Sequence, residues 1–75
     1  MLPKPFTYND PLNTLYSCTV TPFQPDNLTL QWHWAVQRTD TGKILEQSSI
    51  PLPSKTDALA RGLGAMTRCI IHRRS

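Results

Sequence analysis

The sequence predicts an α+β domain: a three-stranded antiparallel sheet with one C-terminal helix packed on one face, in the order β-β-β-α. Two patterns predict it. From Leu28 to Gln37 the apolar residues Leu28, Leu30, Trp32, Trp34 and Val36 alternate with Thr29, Gln31, His33, Ala35 and Gln37, the period of a half-buried strand. From Ser54 to about Ile71, Leu59, Leu63, Met66 and Ile70 recur at i, i+4, i+7 and i+11, a narrow apolar stripe on a helix. Length then bounds the answer, since 75 residues make one domain that buries only about 60 % of its unfolded surface.

Residues 1–13 read as an irregular Pro-rich arm, and residues 14–75 as the single small β-β-β-α domain. The arm holds Pro3, Pro5 and Pro11 together with Asn9, Asp10 and Asn13, residues that favour turns over ladders. Phe6 and Tyr8 alternate within it, as in a short strand or a segment packed across the fold. The first domain strand is Thr14–Thr21, with Tyr16, Cys18 and Val20 on one face and Ser17, Thr19 and Thr21 on the other. A turn follows over Pro22–Asn27, where prolines and Asp-Asn cluster.

The second strand is Leu28–Gln37, and Arg38–Lys43 forms its hairpin turn, with Gly42 free to take positive φ. Ile44–Ile50 returns. Its faces cannot be assigned, because Ile44 and Leu45 are adjacent and break the alternation. Pro51-Leu52-Pro53 ends that strand, since neither proline can donate to a ladder. Ser54 is then a helix N-cap with Asp57 three residues on, a capping-box spacing. Gly62 and Gly64 each weaken a helix by about 1 kcal/mol relative to Ala. Gly62, one turn beyond Ala58, is explained if the helix lies close over a Trp ring; Gly64 falls on the outer face and has no such explanation.

Charge is unevenly distributed. Residues 1–50 carry three Lys/Arg against four acids, whereas residues 51–75 carry five against one. This asymmetry points to an anionic partner, either an acidic protein surface or nucleic acid. Arg61, Arg68 and His72 lie on the side of the helix opposite the leucine stripe, and Arg73 and Arg74 continue the basic run past an expected fraying point near Ile71 or His72. A solvated helix end is an equal reading, because cations there offset the negative end of the macrodipole. The second candidate surface is the uncovered sheet face, where Gln31, His33 and Gln37 stand beside threonines, as in β-ribbon readers of the major groove.

Chemistry is excluded more firmly than binding is assigned. Cys18, His33, Cys69 and His72 form a ligand set on paper, but Cys18 shares the apolar face while His33 points away, so no metal is expected. A Cys18–Cys69 disulfide is conceivable on the core side, and two reduced thiols are the stronger reading. No nucleophile–base pair, carboxylate pair or phosphate loop is recognisable, so the chain reads as no enzyme and needs no cofactor. No apolar segment is long enough for a membrane span or signal peptide, which predicts a cytoplasmic location.

The order strand–hairpin–strand followed by Ser54-Lys55-Thr56-Asp57-Ala58-Leu59-Ala60 resembles the second half of a double-stranded-RNA-binding domain. That family opens its last helix with a lysine cluster, of which only Lys55 has a counterpart, so no function is carried across. In size and shape the chain is also similar to small phage proteins that block host enzymes. The expected function is a small non-enzymatic binding protein acting through protein–protein contacts, an accessory or inhibitory factor of phage-like character. A homodimer through an open sheet edge belongs to the same expectation. The alternative is a nucleic-acid-binding protein that uses the basic helix and the polar sheet face.

Overall fold

In the computed structural model the described residues are 2–25 and 29–73, with the side chain of Arg73 excepted. Four strands and one helix form: β1 (Phe6–Asn9), β2 (Tyr16–Phe23), β3 (Gln31–Arg38), β4 (Ile44–Gln47) and α1 (Lys55–Arg73). The sheet is an antiparallel meander in the order β1-β2-β3-β4. It has four strands, not the expected three.

The additional strand comes from the Pro-rich N-terminal segment. Pro3, Pro5 and Pro11 flank β1 without entering it, and β1 is an edge strand, where a missing donor costs little. Its register sets Phe6 against Val20 and Tyr8 against Cys18. Tyr8 packs on the core, Lys55 Nζ lies 4.6 Å from the centroid of the Phe6 ring, and the Thr7 and Thr19 hydroxyls approach to 3.0 Å. The Asp10 carboxylate then fixes the turn by accepting from Leu12 N at 2.9 Å and Asn13 Nδ2 at 3.2 Å.

β2 runs through Pro22 and Phe23, which were expected to begin a turn. Pro22 pairs with Trp32, but Trp32 N–H and C=O both bond Leu52, each at 2.8 Å. The Pro22–Trp32 position is therefore one where β2 and β3 exchange no hydrogen bonds, and the proline removes none. β3 begins at Gln31, later than expected, and Leu28 lies outside the described residues. Its alternation holds: Trp32 and Val36 are buried and Trp34 is half-buried on the core side. The hairpin turn closes as expected, with Gly42 at φ 73°.

β4 explains its own confusing pattern. Ala35 pairs with Gln47 and Val36 with Glu46, but Gln37 pairs with Ile44, so Leu45 is an extra residue in a bulge. Leu45 packs on the core and Glu46 bonds the helix, while Ile44 faces the other way. Beyond Gln47, Ser48 N still donates to Trp34 O at 2.9 Å. Pro51-Leu52-Pro53 does not end the sheet, because Leu52 between the two prolines both donates to and accepts from Trp32.

Ser54 caps α1 as expected, its Oγ accepting from Asp57 N at 3.1 Å. The helix continues through Arg73 rather than fraying at Ile71 or His72. Its docking line lies between the expected stripe, whose Met66 is buried and whose Leu59, Leu63 and Ile70 pack on the core, and a neighbouring row of small residues. Ala58, Gly62, Ala65 and Met66 are buried, whereas Leu59, Leu63 and Ile70 are half-buried. The row Ala58, Gly62, Ala65, Cys69 has the leucine spacing one residue earlier, which is about 100° round the helix. Small side chains let the backbone come down onto the sheet. Gly62 sits directly on Cys18 Sγ, and a Cβ there would stand 3.2 Å from Trp34 Cβ. Beneath it Cys18, Val20 and Val36 are fully buried.

Candidate binding groove between β4 and α1

This rotation decides where the basic residues go. Measured from the row of small residues, Arg61, Arg68 and His72 lie only about 70° away, on the flank of the helix and not on its back. The flank faces β4. Arg68 Nη2 reaches Glu46 Oε1 at 3.0 Å, and Arg61 lines a cleft with Ser48, Ser49 and Ile50. Two hollows therefore lie one after the other along this side, between the helix and the edge strand β4 with its continuation to Leu52, and together they form the candidate groove.

The groove has two hollows. One, of about 220 Å³, lies between Arg61 and the Ser48–Leu52 segment, with Trp34 at its base. The other, of about 370 Å³, is lined by Leu45, Glu46, Arg68, Cys69 and His72. Their electrostatics differ. Among the described residues Arg61 has no ion-pair partner. Arg68 is neutralised by Glu46, in a pair whose side chains are 60 % and 39 % exposed. Such a pair contributes about 0–1 kcal/mol and can be exchanged. Cys69 Sγ lies 3.8 Å from Glu46 Oε2. Burial, reinforced by the Glu46 carboxylate, pushes this thiol above its ordinary range. It is held protonated and is not prepared as a nucleophile.

The remaining candidate residues separate from this groove. Gln31, His33 and Gln37 point to the opposite face of the sheet, so the basic helix and the polar face do not form one surface. His33 is engaged there: its Nδ1 lies 3.2 Å from Ser48 Oγ, and its ring tilts against Phe23 at 5.0 Å. Ser48 Oγ also accepts from Trp34 N at 3.2 Å, so the His33–Ser48 contact secures the departure of the chain from β4. Gln37 stands in register between Ser17 and Ile44, and Gln31 beside Phe23. Arg73 is helical, its side chain is outside the described set, and Arg74 lies outside the described residues.

Cys18 and Cys69 are free thiols, and Cys18 is fully buried under Gly62. No group of three or more His, Cys, Asp or Glu among the described residues could hold a metal ion. No described helix is long and apolar enough to cross a membrane. Sequence reasoning found the arginines but missed the opposite wall: Leu45, Glu46, Ser48 and Ile50. The available signal was the adjacent Ile44-Leu45 pair, which marks the bulge that turns two consecutive residues toward the helix. Compared with protein-family models, with curated proteins and with solved structures, the chain matches none.

Proposed function

We propose that this chain is a small non-enzymatic binding domain that takes up an extended, acidic segment of a partner protein along β4. One observation carries the reading: the helix flank bearing Arg61, Arg68 and His72 runs beside β4, whose outer edge pairs with no other strand among the described residues. An edge strand offers a row of backbone donors and acceptors to an incoming strand. Arg61, which has no ion-pair partner among the described residues, supplies the charge that attracts and orients it. The nucleic-acid alternative has less support, because the sheet face away from the helix contributes no charged side chain among the described residues and Arg68 is already neutralised.

Titration of ¹⁵N-labelled protein with an acidic extended peptide, and separately with mixed-sequence DNA and RNA, tests this. The peptide should shift amides of Ile44–Gln47 and Arg61–His72, an effect weakened by salt and by Arg61→Glu with Arg68→Glu. A response to nucleic acid alone, or peptide shifts confined to other surfaces, overturns it. Peptide-free self-pairing, seen as a concentration-dependent dimer with the same shifts, also overturns it in favour of a second copy.

A further inference from the structure

We infer that the groove selects a two-point ligand: a carboxylate side chain directed at Arg61 and an aliphatic side chain four residues away seated against Leu45 and Cys69. The inference rests on the strand-addition reading above and specifies what the added strand must carry.

The chemistry of the two hollows differs in kind. Arg61 brings a guanidinium with no ion-pair partner among the described residues into the smaller one, and a carboxylate is its natural complement because the planar fork binds two oxygens at once. The larger hollow holds an arginine too, but Glu46 occupies it at 3.0 Å. A second carboxylate there would face Glu46 as well as Arg68 and would have to displace an existing pair. The Leu45 and Cys69 side chains instead offer an uncharged floor, with the thiol kept neutral by its surroundings. The volume, about 370 Å³, accommodates a leucine-sized group. The groove is thus anion-seeking at one end and apolar at the other.

Geometry fixes the spacing. From Arg61 to Cys69 is eight residues of helix, about 12 Å at 1.5 Å per residue. A strand beside β4 advances about 3.3 Å per residue and directs every second side chain to the helix side. Positions i and i+4 then share that side at about 13 Å, which matches. Positions i and i+3 cannot both face the helix, and i and i+2 fall short by about 5 Å. Glu46 acts in this scheme as a selectivity element that keeps the ligand's carboxylate out of the Arg68 end.

The probe is a seven-residue Thr/Ser peptide with Glu at its second position and Leu at its sixth, made also in the reversed order. Affinity is read by fluorescence anisotropy and location by amide shifts. One of the two orders should bind. Glu to Gln in that peptide should weaken it about tenfold, the scale of one charge-assisted contact. Moving Leu by one position should weaken it comparably. Arg61→Gln should remove the preference for Glu over Gln while leaving the contribution of Leu intact. Peptides that shift β4 amides but bind equally well whatever the spacing or charge overturn this inference and leave the strand-addition reading standing. Loss of the Glu preference in Arg68→Gln but not in Arg61→Gln also overturns it, by placing the carboxylate at the wrong end. Absence of any β4 shift with every peptide removes both.

Discussion

At the scale of single residues, the two helix glycines have opposite meanings. Gly62 is buried where a Cβ would overlap Cys18 Sγ and crowd Trp34. Gly64 is exposed, and a Cβ there meets only the end of the Arg68 side chain at 4.0 Å. Gly62→Ala gains about 1 kcal/mol of helix propensity but overpacks the interface by about 1–3 kcal/mol, and net destabilisation is expected. Gly64→Ala keeps the propensity gain, up to about 1 kcal/mol. Urea midpoints of the two variants should therefore move in opposite directions. A Gly62→Ala protein more stable than the parent would mean that the helix does not lie as close to the sheet as described. Nothing in the packing explains why Gly64 is glycine.

At the scale of elements, β1 and β4 show how an edge strand is held. β1 has only four residues, and helix and sheet anchor it through side chains: Tyr8 on the core and Phe6 beneath Lys55. Tyr8→Ala should cost about 2 kcal/mol, less than for a fully buried aromatic, and should release the amides of Phe6–Asn9 to fast hydrogen exchange while those of β3 stay protected. An effect below about 0.5 kcal/mol would make β1 an appendage. β4 is held differently. Its bulge turns Leu45 and Glu46 together toward the helix, and Ser48 and Leu52 prolong its pairing with β3. The bulge and the small-residue row on α1 jointly create the groove, because one tilts the edge toward the helix and the other brings the arginine flank round to meet it.

At the scale of the whole molecule, a core this small depends on groups that stay neutral. Burial raises the pKa of Cys18, and burial together with Glu46 raises that of Cys69. In the unfolded chain both thiols lose their protons near pH 8.5–9, whereas the folded state retains them. The contribution of the thiols is therefore complete below that range and is lost as pH rises through the elevated folded values. Unfolding free energy measured from pH 7 to 10 should fall, and the fall should be shallower in Cys18→Ala, judged by slope and not by midpoint. An identical slope in the variant would show that the buried thiol does not contribute. The same burial predicts that Cys18 resists alkylation until the protein unfolds.

Much of this architecture was legible in the chain. Alternation over Trp32, Trp34 and Val36 marked the core face of β3, Ser54 marked the helix start, and Gly42 marked the hairpin turn, because each rests on local chemistry. Local rules also found Arg61, Arg68 and His72 as a coherent stripe. They offered Phe6 and Tyr8 as a short strand without deciding for it, since a four-residue segment between prolines becomes a strand only when β2 offers it a ladder and the core accepts Tyr8. They gave the rotation of the helix only in part. The close approach of Gly62 to a tryptophan was legible, but the leucine stripe and the small residues form parallel rows one residue apart, and how far the helix turns toward the small row depends on the surface beneath it. Bulky tryptophans and a fully buried Cys18 favour the row that lets the backbone approach. A basic stripe on an amphipathic helix is written in the order of the residues. That the stripe borders the edge strand β4 follows from folding alone, because it depends on close packing between surfaces far apart in the chain.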